Sequence, residues 1–175
     1  VQAVDNAPRG AVLVLSDGVH VLTSPLVLTK SLLVQGERGA RLVASGKHSV
    51  VIIDAADGEV ALLGVEIEQR GSDGGNAAAP GASDTSGAMS SGGYAVVVRN
   101  GVCRLLHCGL SSSSSGCCFV SASATAELRC CHVRRASAHG VLVSGRARAI
   151  VSHCHIQSTG AAGVEGWGCG GAGGS

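Results

Sequence analysis

Leu105-Leu-His-Cys-Gly-Leu110, Leu128-Arg-Cys-Cys-His-Val133 and Val151-Ser-His-Cys-His-Ile156 are one phrase written three times. Leu105, Leu128 and Val151 stand 23 residues apart, as do Cys108, Cys131 and Cys154, and then Leu110, Val133 and Ile156. A fixed period of roughly 20 to 50 residues marks a stacked-repeat architecture. Outward from this phrase a second set keeps the same step: Ala95, Cys118, Val141 and Val164, followed by Val97, Val120 and Val143. Each segment is short, rich in Val, Leu and Ile, alternating, and bounded by Gly, Ser or Asn, which is strand chemistry. No segment carries an apolar stripe of helical period long enough for a stable helix. The pattern predicts an all-β fold, a right-handed parallel β-helix solenoid with 23-residue rungs. Equivalent residues then lie about 4.8 Å apart and stack into internal ladders.

The first half repeats the unit with less regularity. Leu42 to Val65 and Ala44 to Ile67 keep the step of 23, whereas Val65 to Cys108 and Ile67 to Leu110 span 43. The excess falls in residues 71–93, a Gly/Ala/Ser-rich stretch without periodicity that reads as a disordered loop inserted at one corner. Ala11–Leu15, Asp17–Val21, Pro25–Leu28 and Ser31–Val34 are short strands joined by tight turns, the first coils or a cap. The expected division is therefore N-terminal coils at 1–70, the insertion at 71–93, regular coils of the same β-helix at 94–166, and a flexible tail at 167–175. Neither end looks polar enough to be a complete cap, and Val1 is not an initiator Met, so a fragment of a longer chain is expected.

Composition supports a narrow solenoid. Hydrophobic residues make up 45% and aromatics only 2%, so the core has to be built from thin aliphatic layers. Twenty-seven glycines against 3 prolines leave the tight turns mainly to glycine. The net charge of +1 gives no reason to expect nucleic acid or a membrane surface as a partner, and the apolar runs are too short to span a bilayer. Eight cysteines include the adjacent pairs Cys117-Cys118 and Cys130-Cys131, whose members point to opposite faces of a strand. Reduced cysteines in a cytosolic compartment are expected.

Gly64-Val-Glu-Ile67, the rung from Leu105 to Leu110 with its inward cysteine, and Gly160-Ala-Ala-Gly-Val-Glu165 resemble the β-helix of the Shc-binding and Nessun dorma proteins. Asp17-Gly-Val-His20, Leu26-Val-Leu28 and Gly36 resemble the entry coil shared by that family and the F-box β-helix proteins, all with a pectin-lyase-like fold. The resemblance implies a non-enzymatic module of cytoskeletal assemblies. The Ala/Gly/Ser bias of the insertion favours a cilium or axoneme over a midbody.

Chemistry is scarce. Many β-helices cleave polysaccharides, which needs two or three carboxylates, or a carboxylate and a base, on neighbouring rungs. From Tyr94 onward the acids are Glu127 and Glu165, 38 residues apart and so not on one column. Glu66 and Glu68 share a strand face, but Glu66 aligns with Gly109 and has no carboxylate stacked beside it. Asp54, Asp57 and Glu59 read as turn residues. Cys130, His132, His153 and His155 form an outward two-by-two grid on which imidazole and thiolate would be able to hold zinc, against the plainer reading of a polar face. Arg129, Arg134, Arg135, Arg146 and Arg148 read either as solubilising corner charges or as a docking surface for an acidic protein. The resulting expectation is a scaffold without catalysis or cofactor, in the cytoplasm, cytoskeleton or cilium, whose partners are tubulin-associated or ciliary proteins. The alternative is a carbohydrate-binding or polysaccharide-processing β-helix of the pectate-lyase type, which Tyr94, Phe119 and Trp167 alone supply poorly with aromatic platforms.

Overall fold

Short alternating segments with no helical stripe can hide their apolar side only by stacking on copies of themselves. The computed structural model does this in about six coils of a parallel β-solenoid. It describes residues 2–71 and 93–167, so the expected loop and tail fall almost wholly outside the described residues.

A five-residue helix, α1 (Gln2–Asn6), precedes the coils. Coil one is β1 (Ala11–Leu15), β2 (Val19–Leu22) and β3 (Leu26–Leu28). Coil two continues with β4 (Leu32–Gly36), β5 (Arg41–Ser45) and the first part of β6 (Val51–Leu63). The rest of β6 opens coil three, followed by β7 (Glu66–Arg70) and the start of β8 (Val96–Leu106). Coil four is the remainder of β8, β9 (Gly109–Ser112) and β10 (Cys118–Val120). Coils five and six are β11 (Thr125–Arg129), β12 (His132–Ala136), β13 (Val141–Ser144), then β14 (Arg148–Ser152), β15 (His155–Thr159), β16 (Val164–Trp167). Three faces result. The first carries β1, β4, β6, β8, β11 and β14, and the second β2, β5, β7, β9, β12 and β15. The third carries β3, β6, β8, β10, β13 and β16. Because β6 and β8 run through the corner between third and first faces, those two faces form one hydrogen-bonded sheet.

Inward side chains stack in columns. Leu13, Val34, Leu62, Leu105, Leu128 and Val151 pair coil by coil on the first face. Leu42, Ile67, Leu110, Val133 and Ile156 do so on the second. The middle members are fully buried. Val4 of α1, 8% exposed, joins the same core, against which Leu13 and Leu15 of the first coil also pack. This helix covers the first coil and was not expected from the sequence, where five residues offer too little periodicity.

The regular phrase keeps its step: Leu105 pairs with Leu128 and Leu128 with Val151. Two registers differ from expectation. Val120 pairs with Val98 rather than Val97, because four residues, Ser121 to Ala124, turn the corner that Arg99 to Gly101 turn with three. Leu42 pairs with Ile67 rather than Val65, and Ala44 with Gln69 rather than Ile67. Coil two is longer by one residue before Val51 and by one at the Asp54–Gly58 corner. The slip of two in coil two leaves its side chains on their own faces, whereas the slip of one on the third face turns Val97 outward and puts Val96 and Val98 inside. The span of 43 from Ile67 to Leu110 holds.

Candidate functional site

The corner between first and second faces closes in the same way in five successive coils, with four residues, Glu37 to Ala40, in coil two and two in each later coil. A residue with left-handed backbone, Gly39, Gly64, His107, Cys130 or His153, turns the chain, and the next, Ala40, Val65, Cys108, Cys131 or Cys154, points inward. Glycine takes this conformation freely, whereas the later His, Cys and His bear its steric cost. The inward position admits only a small apolar group close to backbone carbonyls, which suits a thiol. Cys108 Sγ donates to Leu62 O at 3.3 Å, Cys131 Sγ to Leu105 O at 3.2 Å and Cys154 Sγ to Leu128 O at 3.4 Å, each to the coil before.

The seven described cysteines form no disulfide. Cys130 is exposed and Cys131 buried, because the left-handed corner turns the first outward and the second inward. Cys117 and Cys118, however, are both buried, because Cys117 lies in the corner before β10, where strand alternation does not apply. Burial pushes both thiols up to about 12, and drives Cys103 upward as well. At neutral pH these groups carry almost no thiolate, the reactive form. Alkylation of the folded protein with iodoacetamide, read by peptide mapping, is expected to label Cys130 at least about 100-fold faster than Cys117 or Cys118. Comparable labelling of all three would contradict the placement of the column.

The zinc grid does not form as expected. His132 and His155 are paired neighbours on β12 and β15, with ring centroids 6.1 Å apart. Cys130 and His153 sit at left-handed corner positions rather than on the strand face beside them. Among the described residues no group of three or more His, Cys, Asp or Glu side chains is arranged to hold a metal ion.

The five candidate arginines do not form one patch. Arg134 and Arg135 lie on β12 of the second face, while Arg129 closes β11 and Arg148 opens β14 on the first. Along the strand those two ends are roughly 13 Å apart. Arg146 stands in the corner before β14. Two of the five are paired: Arg129 with Glu127 at 3.7 Å and Arg134 with Glu66 at 3.0 Å. Arg135, Arg146 and Arg148 make no ion pair among the described residues.

All strand glutamates are engaged. Glu59, Arg104, Glu127 and Arg129 form a chain of ion pairs along the first face, at 3.1, 3.3 and 3.7 Å. Glu68 is held between Arg41 and Arg70, and Glu165 Oε2 lies 2.8 Å from His139 Nδ1, a contact that is an ion pair when the ring is protonated. The Arg70 guanidinium, hydrogen-bonded to Glu68, holds its carboxyl below the usual carboxylate range against the opposing effect of burial, with the Arg41 charge adding to the lowering.

Two missing side chains open a hollow on the second face. Gly109 follows Glu66 in register and precedes His132. A Cβ on Gly109 would meet Glu66 Oε1 at 2.9 Å, so glycine lets that carboxylate lie across the coil to Arg134, two strands away. Gly64 leaves the adjoining corner equally bare. The space, about 740 Å³, is lined by Arg38, Arg41, Glu66, His107, His132 and Arg134 around the two glycines. Sequence reasoning weighed Glu66 and the histidines singly and passed over Arg38 and Arg41. The available signal was Gly109, a glycine at a strand position that the other coils fill with Arg41, Glu66, His132 and His155.

A further apolar column runs outside the third face: Val27, Ile52, Val97, Phe119 and Leu142. Tyr94 stacks on Phe119, with centroids 5.3 Å apart at 27°, leaving Val97, Phe119 and Tyr94 each under 10% exposed. The chain matches no known family model, curated protein or solved structure.

Proposed function

We propose that this chain is a non-catalytic β-helix scaffold that docks other proteins in a cytoskeletal or ciliary assembly. The observation that carries this reading is the distribution of charge. Glu59, Glu66, Glu68 and Glu127 are each held in an ion pair with Arg, and Glu165 faces the His139 ring at 2.8 Å. General acid and base work needs a carboxylate whose proton is available to a substrate. Meanwhile exposed guanidinium groups at Arg135, Arg146 and Arg148 are left for an acidic partner. Arg146 stands in a corner, Arg148 opens β14 and Arg135 lies near the end of β12, and all three side chains are exposed. The cytoskeletal setting rests on the resemblance of the Gly64–Ile67 and Leu105–Leu110 rungs.

The carbohydrate alternative has less to build on. Tyr94 and Phe119 spend their ring faces on each other, and Glu66 is the one carboxylate in the hollow. Affinity capture of the full-length protein from its native cells, at low and high salt, separates the two readings. The scaffold reading expects tubulin-associated or ciliary proteins at low salt, and at least about a tenfold loss of them when Arg135, Arg146 and Arg148 are all replaced by Glu. Retention of a polysaccharide instead of protein would replace it with the carbohydrate reading.

A further inference from the structure

We propose that the hollow between Gly64 and Gly109 is an oxyanion site that takes the phosphate monoester of a phosphoserine or phosphothreonine on a partner protein. This deepens the docking reading and rests on it for the source of the phosphate.

The argument begins with what the backbone no longer offers. Around the hollow the amides are bonded between coils: Glu66 N to Ala40 O at 3.1 Å, Gly109 N to Val65 O at 3.1 Å, His132 N to Cys108 O at 2.9 Å. Recognition has to come from side chains. The lining carries three guanidinium groups against one carboxylate, and two imidazoles besides. Glu66 is drawn to the Arg134 side by their 3.0 Å pair, which moves the negative charge to one rim. On the opposite rim Arg38 is exposed and makes no ion pair among the described residues. Arg41 spends one amino group on Glu68, and its buried Nε has no hydrogen-bond partner among the described residues. His107 stands at the corner above bare Gly64, and its ring has no partner among the described residues.

Guanidinium groups arranged about a concave space suit oxyanions, which they bind through paired N–H donors. Three arginines against one glutamate leave a formal charge of two, which matches a phosphate monoester near neutral pH better than a singly charged carboxylate. The hollow opens onto a flat face, so the ester side of the group can continue into an extended peptide lying along the solenoid.

The test is calorimetric titration of the protein with the tripeptides Gly-pSer-Gly, Gly-Ser-Gly and Gly-Glu-Gly, and with inorganic phosphate, at constant ionic strength. Saturable binding of the phosphoserine peptide is expected, at least about tenfold tighter than the glutamate peptide, with none for the serine peptide. Arg38→Ala, at a position free of structural contacts, should weaken it about tenfold. Gly109→Gln, which fills the hollow, should abolish it, with circular dichroism confirming the fold of each variant. Equal binding of the glutamate peptide, or affinity that survives both substitutions, overturns the proposal. So does tighter binding of inorganic phosphate than of the peptide, which would make free phosphate the ligand. Protein capture that succeeds while phosphopeptide binding fails sinks this inference alone. Phosphopeptide binding through Arg38 with no protein captured from cells upholds the site and sinks the scaffold reading alone.

Discussion

Replacing Leu105 with Ala is expected to lower the unfolding free energy by about 3 kcal/mol and the melting temperature by about 10 °C. Leu105 is fully buried at the centre of its column, between Leu62 and Leu128. A β-solenoid core is thin, and its layers are fixed by hydrogen bonds to the coils on either side. No neighbour can slide into a vacancy, so most of the cavity persists. The equivalent change in the last coil, Val151→Ala, removes less from a half-buried position and is expected to cost about 1 kcal/mol. Urea denaturation followed by circular dichroism compares the two. A Leu105→Ala cost no greater than that of Val151→Ala would mean that the central column is not the core.

The second large effect is expected at Gln69, which is 1% exposed. Its amide nitrogen donates to Gly46 O at 2.6 Å and Arg70 O at 3.1 Å, and its oxygen accepts from Ser112 Oγ at 3.2 Å and Ser114 Oγ at 2.6 Å. The Ser112 and Ser114 hydroxyls also lie 3.2 and 3.0 Å from Gly93 O, a second acceptor sharing their single protons, so this one side chain organises the corner that joins Gly46, Gly93 and Ser112. Gln69→Glu is nearly isosteric but faces two carbonyls with an oxygen. It is expected to cost about 3 kcal/mol at pH 7. Burial raises the folded-state pKa of such a carboxyl above its unfolded value of about 4.3. Below that value the acid is protonated in both states and the penalty is smallest. Stability is then lost as the pH rises through the folded-state pKa. A variant whose deficit is the same at pH 4 and pH 7 would show that the network does not depend on the donor at this position.

Much of this fold is legible in the cysteines. The position after each left-handed corner accepts only a small side chain, so Cys108, Cys131 and Cys154 repeat at an audible interval where Ala40 and Val65 hold the same place in silence. In coil two the register was legible only to within an even slip, since sidedness survives a shift of two while pairing does not; that is why Leu42 was matched to Val65. The outward column at Val97 was hidden because Tyr94-Ala-Val-Val-Val98 is apolar throughout and gives no alternation to read. The Cys130–His155 grid failed because spacing alone cannot distinguish a strand residue from one that turns a corner. The hollow was hardest to see: its charged lining is scattered over four coils, and only the bare positions Gly64 and Gly109 bring those side chains around one space.

The bonds that join one coil to the next lie along the solenoid axis, perpendicular to the strands. Pulling on the two ends therefore loads each coil interface as a zipper opened from its end, rather than as strands sheared past one another. A coil that comes away releases about 23 residues, which extend to roughly 80 Å. Under force the regular coils give way in equal strides, while the coil from Ile67 to Leu110 lets out 43 residues at once, a strap with one long loop of slack among short ones.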